Sequence, residues 1–225
     1  MKSRNRENSF RFARKSPVNA KSSADVIVAA YDVNSKTRDQ EPMDEQPVGH
    51  GRRASMGEAE LAMDRRLGES EYNMLVVQSN LADTYQQLGQ LDRALRMRRI
   101  AYLGTLKLEG KESNETLREA LNYTATLLVL KRFEEVKSLL RKTMPVAQRV
   151  LGENHDTTLK LRWNHAVALS NADGATLDDL REAVATLEEA TRRVRRVYGC
   201  AHPTTQKIET DLKNTREAFR AREMS

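Results

Sequence analysis

The stretch LGENHDTT at residues 151–158 returns 47 residues later as YGCAHPTT at 198–205, with His155 matched by His202 and Thr158 by Thr205. A phrase written twice points to an internal period, and a missed period misassigns a whole fold. Sliding the chain against itself aligns Gly68, Gly110, Gly152 and Gly199, spaced 42, 42 and 47 residues apart. Asn80, Asn122 and Asn164 share one position of this frame, and Ala94, Val136 and Ala183 share another. Leu81, Tyr123 and His165 occupy a neighbouring position that varies while the frame holds.

Each period contains two helical patterns. Leu81, Ala82, Tyr85 and Leu88 recur at helical spacing within residues 72–89, and Gly89 ends the pattern. From Leu91 to about Lys107 a second helix places Leu91, Ala94, Leu95 and Ala101 on one face. Neither helix can bury its stripe alone, whereas antiparallel pairs stacked on one another bury it continuously. Ala82, Ala94, Ala101, Ala183 and Ala190 are small enough for close helix approach. Shifting residues 182–199 back by 131 places Ala190 on Ala59, Val194 on Met63 and Tyr198 on Leu67, so residues 55–68 read as the second helix of a truncated repeat. Residues 203–223 supply a first helix without a partner, charged as an end cap should be. The expectation is an all-α array of three full repeats with a half-repeat at each end, eight helices in all. The third period is five residues longer, and the excess reads as a longer loop within 170–179. Pro145 predicts a bend near Arg141.

Composition limits the function. Of the net charge of +6, the first 24 residues carry all, with seven basic residues against Glu7, so the remainder is neutral and gives no reason to expect nucleic-acid binding. Residues 1–54 are polar, contain Pro17, Pro42 and Pro47, and have one apolar patch, VIVAAY at 26–31; they read as a disordered tail ahead of a repeat domain at 55–225. The basic start with Phe10 and Phe12 also fits an organelle transit peptide, against which Glu7 and the lack of an apolar face argue. No apolar run is long enough for a membrane span, and the single Cys200 fits a reducing compartment, so a soluble cytoplasmic protein is expected. RRASM at 52–56 resembles sites of basophilic kinases, and Ser55 with Glu58 also forms a capping-box pattern that would start a helix there. No phosphate loop, nucleophile arrangement or metal spacing stands out, and His155 and His202 read as turn residues, so neither catalysis nor a cofactor is expected.

The turn phrases, followed by SNLADTYQQLGQLDRA at 79–94 and a closing basic helix, resemble the 42-residue tetratricopeptide repeat (TPR) of kinesin light chains and nephrocystin-3-like proteins. The resemblance spans residues 55–223, and it implies a right-handed superhelix whose concave face is lined by the first helix of each repeat. It further implies that Asn80, Asn122 and Asn164 form a ladder for the backbone of an extended peptide. Departures exist: Tyr123-Thr124 and His165-Ala166 replace Leu-Ala, and Asp156 stands where Pro usually follows the turn histidine. A motor light chain would also need a heptad coiled coil ahead of its repeats, and residues 1–54 have none. Four residues before the Asn register stand Val76, Arg118, Lys160 and Lys207, whose cations would suit an acidic ligand. Leu121 and Trp163, beside the ladder, would line side-chain pockets. Protein-protein adaptor function is the expectation, and a structural or self-associating scaffold is the alternative. In the bland reading of the ladder, each Asn bonds a neighbouring helix and fixes repeat geometry.

Overall fold

A computed structural model of the chain describes residues 48–67 and 70–224. Eight helices follow one another, with no strand among the described residues: α1 (Val48–Leu67), α2 (Glu71–Gln87), α3 (Leu91–Glu109), α4 (Asn114–Val129), α5 (Phe133–Leu151), α6 (Asp156–Asn171), α7 (Leu177–Tyr198) and α8 (Pro203–Glu223). Each packs on the next, and α4 also packs directly on α6. This is the expected array of a second helix, three helix pairs and a closing first helix. The alanines chosen for close approach, Ala82, Ala94, Ala101, Ala183 and Ala190, are all fully buried.

The turns explain the frame. Gly110, Gly152 and Gly199 cap α3, α5 and α7 with φ of 80°, 87° and 85° and ψ of 172°, 164° and 167°. Only glycine enters that region freely. Three residues later Ser113, His155 and His202 occupy one register and do one job. Each side chain accepts a backbone N–H of the following helix, at 3.1 Å from Glu115, 3.2 Å from Thr157 and 3.2 Å from Thr204. Since serine and histidine interchange there, the histidines are N-caps. Gly68 lies outside the described residues.

Other expectations are corrected. Ser55 does not start a helix, because α1 begins at Val48 and the Ser55 hydroxyl donates to the Gly51 carbonyl at 3.2 Å. A phosphate on Ser55 would therefore sit inside the helix, beyond the free amides of its first turn. The stretch 48–54, read as part of the tail, is helical. On α1 the frame points Ala59 and Met63 inward, yet both are exposed, and Ala54 and Leu61 are buried instead. Among the described residues α1 has one helix beside it, α2, and it is turned to suit that helix; Ala54 packs with Leu81, Tyr85 and Ala94, and Glu58 accepts from the Tyr85 hydroxyl. Of the five extra residues of the third period, two lengthen the connection, 172–176 against 130–132, as expected, and three lengthen the second helix. α7 has 22 residues where α5 has 19, because Thr176 and Asp179 form a capping box that starts it early. Pro145 lies inside α5 and does not end it, a continuity compatible with the expected bend near Arg141.

At the end of α4, Lys131 holds φ 57°, the position that Gly89 holds with φ 70° one repeat earlier. Replacing Lys131 by Gly is expected to raise stability by about 0.5–1 kcal/mol, since a β-carbon is disfavoured in that region. Urea unfolding followed by circular dichroism checks it.

Candidate functional site

The first helices α2, α4, α6 and α8 carry the ladder, and its rungs differ. Asn80 on α2 is exposed. Asn122 on α4 is half-buried, its Nδ2 a long 3.5 Å from Glu119 Oε1. Asn164 on α6 is fully buried and donates to Thr124 Oγ1 at 3.0 Å, while its Oδ1 has no hydrogen-bond partner among the described residues. The register continues in Asp211 of α8, whose Oδ2 accepts from Trp163 Nε1 at 2.7 Å. Burial pushes the Asp211 carboxyl up, against the pull of Trp163 and Lys207. Asp211 was legible, standing 47 residues after Asn164 as Lys207 stands after Lys160.

The cations of the second ladder have internal carboxylates. Lys160 is only 2% exposed, and its Nζ donates to Asp156 Oδ2 at 2.9 Å, while Asp156 Oδ1 accepts from the Tyr198 hydroxyl. Arg118 pairs with Glu115 and lies 3.8 Å from Glu119, yet nearly half of its side chain remains exposed. Lys207 is half-buried and faces Asp211. Leu121 and Trp163 are buried, at 2% and 1% exposure. Leu121, Lys160, Trp163 and Asn164 thus lie beneath the accessible face, because α4 and α6 pack directly on each other. Here the bland reading of Asn164 holds: its amide ties α6 to α4.

Between α2 and α4 the contact is polar. Gln86 accepts from Thr126 at 3.2 Å, and the Ser79 hydroxyl lies 3.0 and 3.1 Å from the two Glu119 oxygens. Arg98 of α3, 3% exposed, donates to Ser79 Oγ at 2.7 Å and pairs with Asp83. The frame gives no hint of this cluster except by contrast. Arg98 falls on Leu140 and Leu187, Glu119 on Val77, Leu161 and Ile208, and Asp83 on Ala125 and Val167. Burial pushes the Asp83 and Glu119 carboxyls above their ordinary range, and Arg98 opposes the shift in both. Above the cluster, Tyr72, Val76, Asn80, Arg118 and Asn122 present side chains to solvent. The open half of the first-helix face is therefore the N-terminal half.

No family model matches the chain, and no curated protein matches it in sequence. Among solved structures it is similar to a Podosopora anserina protein with nearly identical TPR-like repeats of kinesin light chain type, at TM-score 0.62 and 17% identity, over 89% of this chain and 88% of that one. A point variant of that protein gives 0.63 at the same identity and coverage. BtubC (BKLC) from P. vanneervenii gives 0.57 at 15% identity, over 89% of this chain and 84% of that one. Glycine-ended helix pairs, capped in register and joined by buried alanines, together with these neighbours identify the fold as a TPR-like solenoid of the kinesin light chain-like kind.

Proposed function

We propose that the chain is a non-enzymatic adaptor that binds an extended peptide of a partner protein across α2 and α4. The observation that carries this reading is the exposed Asn80, whose amide has no partner among the described residues, beside the loosely held Asn122. Asparagine is a mediocre helix former, and exposed amides aligned on successive helices suit the alternating N–H and C=O groups of an extended chain. Arg118, partly open, supplies the cation for an acidic residue of the ligand. Leu121, Lys160, Trp163, Asn164 and Lys207 serve from beneath or beside the face by fixing helix positions. The exposed Cys200 suits work in the reducing cytoplasm.

A test is fluorescence anisotropy of labelled acidic peptides against the full chain and its Arg118→Glu, Asn122→Ala variant, with matched helicity. Micromolar binding, about −8 kcal/mol, is expected, with a loss of about tenfold or more in the variant. Peptide binding that survives unchanged would sink the reading.

A second reading, a scaffold for folded partners, has its own support. Leu108, Val150 and Val197 share one register and are 42%, 39% and 44% exposed at the ends of successive second helices. Apolar residues aligned on a surface mark contact with another protein.

A further inference from the structure

The inner helices also present a different face between successive second helices, and the frame permits like-for-like comparison there. Tyr102 of α3 stacks on Tyr123 of α4, with ring centroids 5.9 Å apart and an interplanar angle of 24°. Arg99 and Glu135 bring their charges to bear on Tyr123. One repeat later the positions of the two tyrosines are held by Met144 and His165. The positions of Arg99 and Glu135 are held by Arg141 and Glu182, which act on His165 in the same way. The charged rim persists and the aromatic filling is gone. In its place is a cavity of about 350 Å³ between α5 and α7, floored by His165 and Leu169.

We infer that this cleft is a second interaction site, which receives an aromatic side chain of a partner protein, tyrosine by the internal precedent, stacked on the His165 imidazole. Several observations converge. The size is at the lower end of ligand pockets, about 300 Å³ and upward. Met144 is an adaptable wall, unbranched and polarizable, and methionine sulfur makes favourable contacts with ring edges. Burial lowers the His165 proton affinity, with Lys137 and Arg141 adding to the shift and Glu182 opposing it, so the ring is neutral at pH 7 and offers an uncharged face. Offset stacking of rings at this separation is favourable beyond the area it buries. Arg141 and Glu182, both exposed, join Lys137 and Asp179 in lining the cleft, so charges of both signs are available to polar groups that flank the aromatic residue. His165 faces α5 and α7, whereas Asn164 faces α4, so this site stands whether or not the α2–α4 face binds peptide.

The test is an NMR titration of the full chain with N-acetyl-tyrosinamide, read at the Leu169 methyls and the His165 ring, with N-acetyl-leucinamide as control. Saturable ring-current shifts with half-saturation of about 1 mM are expected for the tyrosine probe alone. In His165→Leu, which adopts the residue found at Leu212 in the same register, binding read at Leu169 is expected to weaken about tenfold. The Met144→Tyr, His165→Tyr variant rebuilds the internal pair and should remove binding. Absence of saturable shifts, equal response to the leucine probe, or full affinity in His165→Leu would overturn the proposal. Should the rebuilt pair fail to fold, the His165→Leu result decides.

Discussion

Arg98→Leu is expected to destabilise the fold by about 3–5 kcal/mol, although leucine is what the same register carries in the next two repeats. Arg98 is 3% exposed and is the cation shared by Asp83 and Glu119; without it the buried Glu119 carboxyl and the half-buried Asp83 carboxyl face each other across α2 and α4. The companion variant reverses the outcome. Asp83→Ala, Arg98→Leu and Glu119→Leu together restore the apolar registers of Ala125, Leu140 and Leu161, and the result is expected to be neutral or more stable by about 1–4 kcal/mol. The single changes will not add up to the combined one, because the residues form one network. Acid dependence gives an independent reading. Both carboxyls are raised, so between the ordinary carboxylate range and their raised values the folded state holds more protons than the unfolded one. Their unfavourable contribution is absent below the ordinary range and grows as pH rises through the raised values. Urea unfolding at several pH values should therefore find the Arg98→Leu deficit largest at neutral pH and shrinking on acidification. A deficit independent of pH would point to packing alone.

Trp163→Ala is the second large effect, with an expected loss of about 3–5 kcal/mol. Trp163 is 1% exposed, in the core it shares with Leu161, Ile208 and Leu212, and its indole N–H satisfies Asp211 at 2.7 Å. Trp163→Phe separates the two contributions. It keeps an aromatic ring and removes the donor, leaving Asp211 short of a partner at a cost of about 1–3 kcal/mol. In a repeat array each unit is held by its neighbours, so the damage should appear first as faster amide exchange in α8. Circular dichroism gives the equilibrium loss, and hydrogen exchange gives its location. Uniform exchange across all helices in Trp163→Ala would argue that the array unfolds as one unit.

The repeat frame was legible because it is written in residues with local causes. Glycine at a φ near +85° and a side-chain cap three residues later have few substitutes, so they recur. Alanine at helix crossings recurs for the same reason. What the frame does not carry is how closely successive first helices approach. Asn80, Asn122 and Asn164 have identical registers and run from exposed to fully buried, since α4 and α6 pack directly while α2 meets α4 through polar side chains. Lys160 looks like a surface cation until Asp156, one turn before it, takes its charge. The rotation of α1 was hidden for a related reason: the frame assumes two neighbours, and α1 has one among the described residues. Arg98, Asp83 and Glu119 break the apolar pattern at three separate places in the sequence, and only the fold brings them together.

Side-chain amide spectroscopy of ¹⁵N-labelled chain during titration with an acidic peptide tests the central claim most directly. If the open half of the first-helix face binds the peptide backbone, the Nδ2 resonances of Asn80 and Asn122 shift together and saturate, and that of the buried Asn164 stays where it is. Stationary Asn80 and Asn122 resonances in the presence of a peptide that binds elsewhere on the chain would contradict it.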